Sequence, residues 1–136
     1  MSQYVSGIRL LVQDYDEAID FYVDRLGFTL VEDTALDDQG KRWVTVAPPG
    51  SRETRLLLAK AADRDERGMI GCQSGGRVFL FLTTDNLKRD YERYKRNDIV
   101  FVREPVVQPY GTVAVFRDLY GNLWDLIQPA EPAVSG

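Results

Sequence analysis

Short apolar segments separated by turn residues run along the whole chain, and their order is the same in its two halves. Strands are predicted where β-branched and apolar residues are dense, and helices where apolar residues recur every three or four positions. Each half then contains a strand, a helix and three further strands. The predicted strands are 5–12, 28–32, 42–47 and 55–59 in the first half, and 78–83, 99–103, 112–116 and 123–128 in the second.

The two predicted helices begin at acidic residues that are suited to cap a helix N-terminus. Asp14 is followed three residues later by Glu17, which is the spacing of a capping box. Apolar residues then recur at helical spacing until Gly27, a residue type suited to the left-handed conformation at a helix C-terminus. In the second half, Asp85 is the predicted N-cap of a helix that ends at about Asn97.

The repeated order predicts an α+β fold made of two βαβββ modules. A module of this kind leaves one sheet face uncovered and needs a partner to bury it. Two modules, paired within one chain or across a dimer, would form a curved, half-open mixed-sheet barrel with a concave cup for a small molecule. We therefore predict one domain over 1–136, with module one at about 4–60, a Gly-rich hinge at 61–76, module two at about 77–129 and a short tail at 130–136.

Length, charge and cysteine content narrow the class of protein. The 136 residues are enough to bury a core, and the net charge of −4 provides no basic surface field for nucleic acid. No apolar run approaches the roughly 18–20 residues that cross a bilayer, and the N-terminus lacks the pattern of a secretory signal. The single cysteine, Cys72, cannot form an internal disulfide. We therefore expect a cytoplasmic protein with no nucleic-acid or membrane partner.

The chain contains no histidine. Histidine is the commonest protein ligand of transition metals and the usual general base near neutral pH. A zinc site built from nitrogen and sulfur ligands therefore cannot be assembled, and a serine or cysteine nucleophile would lack its usual imidazole partner. These classes of site are excluded by composition alone.

Two motifs carry a family resemblance. The sequence DYDEAIDFY at 14–22, running on to Leu-Gly-Phe at 26–28, is similar to the first strand-to-helix segment of the vicinal oxygen chelate superfamily, the group of glyoxalases, bleomycin resistance proteins and extradiol dioxygenases. The sequence DLYGNLWDLIQP at 118–129 resembles the family's final turn and strand, although Leu119 and Tyr120 depart from its Pro-containing turn. The resemblance covers nearly the whole chain.

The resemblance implies four metal ligands, drawn from His, Gln and Glu, on the first and last strands of each module. The corresponding positions in this chain are Gly7, Leu57, Phe79 and Asp125. Only Asp125 has a side chain that can bind a metal, and a single carboxylate does not hold a divalent cation tightly. We therefore predict no metal ion, no other cofactor, and none of the divalent-metal chemistry of the family.

Strand alternation predicts which residues share the face of those four positions. Arg9 lies with Gly7, Arg55 with Leu57, and Phe81 with Phe79. The arginines are interpreted either as ligands for an anion or as side chains that pair with Asp125 or extend to solvent. Aromatic residues would supply stacking walls, with Tyr110 near the mouth of the cup. The predicted ligand-binding residues are Arg9, Arg55, Phe79, Phe81, Tyr110 and Trp124, and Trp43 and Phe116 are further aromatic candidates.

Three functions fit this pattern. The first is a non-catalytic binder that sequesters an antibiotic or a metabolite as a homodimer, as the resemblance implies. The second is a metal-independent or atypical glyoxalase-like lyase or isomerase that uses Asp125 as base, with Arg9 or Arg55 stabilising an enolate. Asp125 is equally interpreted as a structural carboxylate that pairs with one of the arginines. The third is an accessory protein whose cup has lost its role.

Overall fold

The structure, a computed structural model, describes residues 2–131 and consists of two compact units that divide between Gln73 and Ser74. Each unit follows the order βαβββ and contains a four-stranded mixed sheet. The predicted pair of βαβββ modules is confirmed. Residues 132–136 of the predicted tail lie outside the described residues.

The first unit has the strand order β1-β4-β3-β2. Strand β1 is parallel to β4, and the other neighbours are antiparallel. The parallel pair requires a crossover, which the first helix provides. The elements are β1 (Gly7–Val12), α1 (Tyr15–Ile19), β2 (Thr29–Ala35), β3 (Arg42–Ala47), β4 (Arg55–Lys60) and α2 (Arg64–Met69).

The first helix begins and ends as predicted but changes type in its interior. The Asp14 carboxylate accepts a hydrogen bond from the Glu17 backbone N–H at 2.9 Å, and Gly27 is left-handed with φ of +86°. After α1 the helix continues in π-helical form over Asp20–Arg25. The adjacent aromatic residues Phe21 and Tyr22 of this segment are both buried, and their rings meet edge to face with centroids 5.1 Å apart.

Strand alternation divides the first sheet into two faces. Ile8, Leu56 and Val46 lie in one row across β1, β4 and β3. On this face α1 contacts β4 and closes the core. The opposite face, which we call the open face of the first unit, has the row Arg9, Leu57, Thr45 and Glu32. The predicted side-chain alternation of Arg9 and Leu57 is therefore observed.

The second unit repeats this topology with the order β5-β8-β7-β6. Its elements are β5 (Val78–Thr83), α3 (Leu87–Arg96), β6 (Phe101–Gln108), β7 (Gly111–Arg117) and β8 (Leu123–Pro129). The predicted N-cap Asp85 is wrong by one residue. The cap of α3 is Asn86, whose side-chain oxygen accepts from the Arg89 backbone N–H at 3.0 Å, while Asp85 forms an ion pair with the Arg89 guanidinium.

The core of the second unit is a row of large side chains under α3. Leu80, Trp124, Phe116 and Phe101 are neighbours on β5, β8, β7 and β6. Phe116 stacks on Trp124 with ring centroids 5.8 Å apart, and Tyr94 of α3 meets Phe116 edge to face at 5.5 Å. The opposite face of this sheet is the open face of the second unit.

The connector predicted as a hinge is ordered in its first part. Asp63 caps the short helix α2 by accepting from the Glu66 backbone N–H at 2.8 Å. Gln73 is then tied to strand β1, because its side-chain oxygen accepts from the Leu11 N–H at 2.8 Å and its amide nitrogen donates to the Arg9 carbonyl oxygen at 3.1 Å. Residues 61–73 therefore belong to the first unit. None of the helices within 2–131 has the length and apolar character required to span a membrane.

Candidate ligand-binding site

A cavity of about 400 Å³ lies on the open face of the first unit. Its centre is the row formed by Arg9, Leu57 and Thr45 on three adjacent strands. Arg55 and Gly7, which pair with each other across β4 and β1, lie on the same face. The lining residues are Ser6, Gly7, Ile8, Arg9, Trp43, Thr45, Arg55 and Leu57. The structure therefore brings together the two predicted arginines, Arg9 and Arg55, and the two positions of module one where the resemblance implies metal ligands, Gly7 and Leu57.

A second, larger depression of about 700 Å³ adjoins this cavity. The two share Arg9, Trp43 and Leu57 among their lining residues, and we call them together the groove. The larger part is bounded by the turn between β2 and β3 and by Glu66 of α2. Trp43 is 41% exposed and belongs to both parts, which makes its ring an available stacking surface.

The arginines of this unit fall into two kinds. Arg42 is saturated, because its guanidinium bonds to Asp33 at 2.6 Å and to Asp16 at 3.0 Å and lies over the Tyr15 ring. The hydrogen bond from Arg42 lowers the pKa of Asp33, and burial opposes that effect only in part. Arg9 and Arg55, by contrast, are exposed, and neither guanidinium has a hydrogen bond or an ion pair to another described residue of the first unit. Their pairing with Asp125 of the second unit stays a prediction.

Thr45 is the buried polar residue of the cavity wall. It is only 6% exposed, and its hydroxyl has no hydrogen-bond partner among the described residues. A buried hydroxyl without a partner costs about 1–3 kcal/mol. The residue lines the cavity, but its hydroxyl oxygen is inaccessible to solvent, so the missing hydrogen bond is a local cost in the cavity wall and not a contact offered to a ligand. The sequence analysis did not select Thr45, because a threonine within an apolar strand is ordinary for a β-sheet.

In the second unit, Asp125 lies on the open face, as predicted. It is the partner of Phe81 on β5 and of Val115 on β7, and Val115 is in turn the partner of Arg103 on β6. Burial raises the pKa of Asp125, and the positive charge of Arg103 partly opposes that shift. Arg103 was missed by the sequence analysis. The register of β6 shifts on both sides of Arg103. Simple alternation along the strand therefore does not predict which face its side chain occupies.

The predicted aromatic residues separate into two groups. Phe79 is half-buried, and Phe81, on the open face, is 65% exposed, while Tyr110 is exposed in the turn between β6 and β7. Trp124 is 3% exposed and lies on the opposite face, stacked on Phe116. Since strand alternation turns Trp124 away from Asp125, we do not include Trp124 in the candidate site. Trp43 is the tryptophan that lines a cavity.

Gly7, Leu57 and Phe79 stand at three of the four positions where the sequence resemblance implies metal ligands. Gly7 and Leu57 line the first cavity and offer no donor atom, and Phe79 likewise has none. Within residues 2–131 no group of three or more His, Cys, Asp or Glu side chains is arranged to hold a metal ion. The chemistry of the first cavity is that of guanidinium, hydroxyl and indole groups.

Comparison with known proteins gives consistent matches over most of the chain. The sequence model of the Glyoxalase/Bleomycin resistance protein/Dioxygenase superfamily matches residues 4–126. A protein of Shewanella frigidimarina is 59% identical over 128 residues, which is 94% of this chain and 95% of the relative. YurT of Bacillus subtilis is 33% identical over 88% of this chain and 94% of its own length.

Two solved structures are similar over nearly their full length. UcmS2 has a TM-score of 0.81 and 33% identity, covering 93% of this chain and 98% of that one. TnmS3, described as an antibiotic binding protein from Streptomyces sp. CB03234, has a TM-score of 0.77 and 31% identity, covering 95% and 98%.

Proposed function

Because the chain belongs to the Glyoxalase/Bleomycin resistance protein/Dioxygenase superfamily, we propose that it is a metal-free binder that sequesters a small molecule, either an antibiotic or a metabolite. The observation that carries the proposal is the cavity on the open face of the first unit, which is lined by two exposed arginines and an exposed indole. Pockets with an apolar lining and a few polar groups are typical small-molecule sites. The likeness to TnmS3 supports a binding role.

The donor set supports binding without a metal. Three of the four family positions are Gly7, Leu57 and Phe79, and the chain has no histidine that a change of register would bring into place. Oxygen-ligated cations need several donors, and Asp125 supplies one carboxylate. The arrangement is therefore suited to hold a ligand by direct contacts with the side chains of the groove.

We expect the purified protein to carry less than about 0.1 equivalent of divalent metal by elemental analysis, and its melting temperature to be unchanged by EDTA. The melting temperature should rise on addition of at least one member of a panel of anionic, neutral and cationic aromatic compounds, because a ligand that binds only the folded state stabilises it. Stoichiometric metal that is lost in Asp125→Ala would contradict the metal-free proposal. A panel without any shift would contradict the binding role.

A second candidate function is a metal-independent lyase or isomerase with Asp125 as general base. The raised pKa of this half-buried carboxylate makes it a stronger base than a solvated aspartate. The carboxylate would take the proton next to a carbonyl group, and the nearby positive charge of Arg103 would stabilise the resulting enolate until the proton is returned. This candidate is favoured if a bound compound is converted and Asp125→Asn abolishes conversion while its affinity changes by less than twofold.

The stability of the protein should show the cost of burying Asp125. Its pKa is raised in the folded state, so the ionised form weakens the fold above that pKa, and the effect vanishes once pH falls below the unfolded pKa. We expect Asp125→Asn to raise the melting temperature by about 1–2 °C at pH 7 and to have no effect near pH 3.5. Calorimetric melting at both pH values measures this difference.

Asp33→Asn is the matched control, because the expected change in melting temperature has the opposite sign. Its pKa is lowered by Arg42, so its contribution to stability is present above the unfolded pKa and is lost as pH falls through the lowered one. Asp33→Asn should therefore lower the melting temperature at pH 7, and the loss should shrink in acid. Equal effects of the two substitutions would mean that net charge, rather than local burial, determines the change.

A further inference from the structure

The cavity on the open face of the first unit contains a charge imbalance that the metal-free binding role does not by itself explain. Arg9 and Arg55 lie on the adjacent parallel strands β1 and β4. Because Arg55 pairs with Gly7 and Arg9 pairs with Leu57, the two arginines are diagonal neighbours on one face. Gly7 has no side chain, so the space beside Arg55 stays open.

No acidic side chain lines this cavity. The nearest acidic residue along the row is Glu32, and its carboxylate already accepts a hydrogen bond from the Thr34 hydroxyl at 3.1 Å. Arg42 adds no third site for an anion, since Asp16 and Asp33 occupy its guanidinium. The adjoining depression contains Asp37 and Glu66, whose carboxylates accept backbone hydrogen bonds. Neither Arg9 nor Arg55 forms an ion pair with a described carboxylate of the first unit.

The rest of the cavity is apolar and aromatic. Leu57 lies between Arg9 and Thr45 in the central row, and the exposed ring of Trp43 forms one side. Thr45 completes the wall with a buried side chain whose hydroxyl is inaccessible to solvent. A ligand that satisfies all of these groups has a planar anion at one end and a flat apolar body at the other.

We propose that this cavity is a subsite for an aromatic carboxylate. The carboxylate bonds to the guanidiniums of Arg9 and Arg55, and its ring stacks on Trp43. Guanidinium groups match the planar geometry of a carboxylate with two parallel hydrogen bonds, and aromatic rings stack favourably on indole. The proposal rests on the proposed binding function and specifies the chemical class of its ligand. Arg55 is the strand partner of Gly7, and Arg9 is the strand partner of Leu57. Their positive charges therefore lie beside the two positions where the family resemblance implies metal ligands.

Isothermal titration calorimetry with two matched probes tests the charge requirement. Indole-3-acetate carries the carboxylate, and indole-3-acetamide has nearly the same shape without the charge. We expect the acetate to bind at least tenfold more tightly than the acetamide. We also expect Arg9→Gln and Arg55→Gln each to weaken binding of the acetate at least tenfold and binding of the acetamide less than twofold.

Arg96→Gln is the control, because it removes the same charge from an exposed position in the last turn of α3 in the second unit. It should leave both affinities unchanged. Thr45→Val is a second control, since it preserves shape and removes only a buried hydroxyl that a ligand in the cavity does not reach. It should raise the melting temperature of the free protein and change both affinities by less than twofold.

Equal affinity for the two probes, or losses in Arg9→Gln and Arg55→Gln no larger than in Arg96→Gln, would overturn the subsite. Displacement of indole-3-acetate by an equal concentration of inorganic phosphate would also overturn it, because the cavity would then be a general anion site. If indole-3-acetate fails to bind while a neutral or cationic aromatic compound binds, the subsite is wrong and the proposed binding function stands. If no compound binds, both are wrong.

Discussion

Gly111→Ala is expected to lower the melting temperature by roughly 10 °C, which corresponds to a loss of about 3 kcal/mol in the free energy of unfolding. Gly111 begins β7 with φ of +150° and pairs with Pro129 of β8. A Cβ atom there would collide with the Gln128 carbonyl oxygen and would lie 2.9 Å from the Pro129 Cα atom. Both are backbone atoms, so relief requires β7 and β8 to separate. Thermal unfolding followed by circular dichroism measures the loss.

Gly40→Ala separates the steric effect from the cost of the backbone angle. Gly40 also has a positive φ, +96°, but a Cβ atom there would meet nothing within 4 Å. We expect this substitution to cost about 1 kcal/mol, the conformational cost alone. If the two variants melt at the same temperature, the close approach of β7 to β8 contributes nothing.

Asp118→Ala is expected to cost about 3 kcal/mol, because it removes an anchor from the turn before β8. Asp118 is 4% exposed, and one of its carboxylate oxygens accepts from the backbone N–H groups of Tyr120 and Asn122, each at 2.9 Å. The other oxygen accepts from the Asn122 side-chain amide at 2.9 Å. Buried donors left without an acceptor cost about 1–3 kcal/mol each, although such losses do not add fully. Urea unfolding of the two proteins gives the difference.

Asp37→Ala is a control with the same local geometry. The Asp37 carboxylate also accepts from the backbone N–H groups two and four residues later, in this case Gln39 and Lys41, at 2.9 and 3.0 Å. This turn is exposed, so water replaces the lost acceptor. We expect a cost below about 1 kcal/mol. A comparable loss in both variants would show that the turn geometry, rather than burial, accounts for the effect.

The bounds of the strands were predictable from the sequence where a run of apolar residues is buried and is closed by turn residues. Strands β3 and β5 match their predicted bounds, because each is a dense run of apolar residues closed by turn residues. Strand β6 was predicted to end at 103 but continues to Gln108. Pro105 lies within it, and proline is accepted there because β6 is an edge strand with irregular register. A sequence pattern does not show which strand will be at an edge.

The candidate site was predictable in part for a similar reason. Alternation placed Arg9 and Arg55 on the face of Gly7 and Leu57, which requires only that each strand be regular. It did not reveal Thr45, because the lack of a hydrogen-bond partner for its hydroxyl among the described residues is seen only in three dimensions. The prediction of Trp124 as a ligand-binding residue rested on its aromatic ring and not on alternation, which places it on the face opposite Asp125, in the core.

The hydrogen bonds of Gln73 affect how strand β1 can pair with other copies of this chain. Strand β1 is at the edge of its sheet, and the backbone groups of an edge strand are a template for an extended segment of another molecule. The Gln73 amide occupies the Leu11 N–H and the Arg9 carbonyl, two neighbouring groups that such a segment would need. We therefore expect Gln73 to reduce the pairing of β1 with an extended segment of another copy, because a single side chain of the connector already binds these two backbone groups.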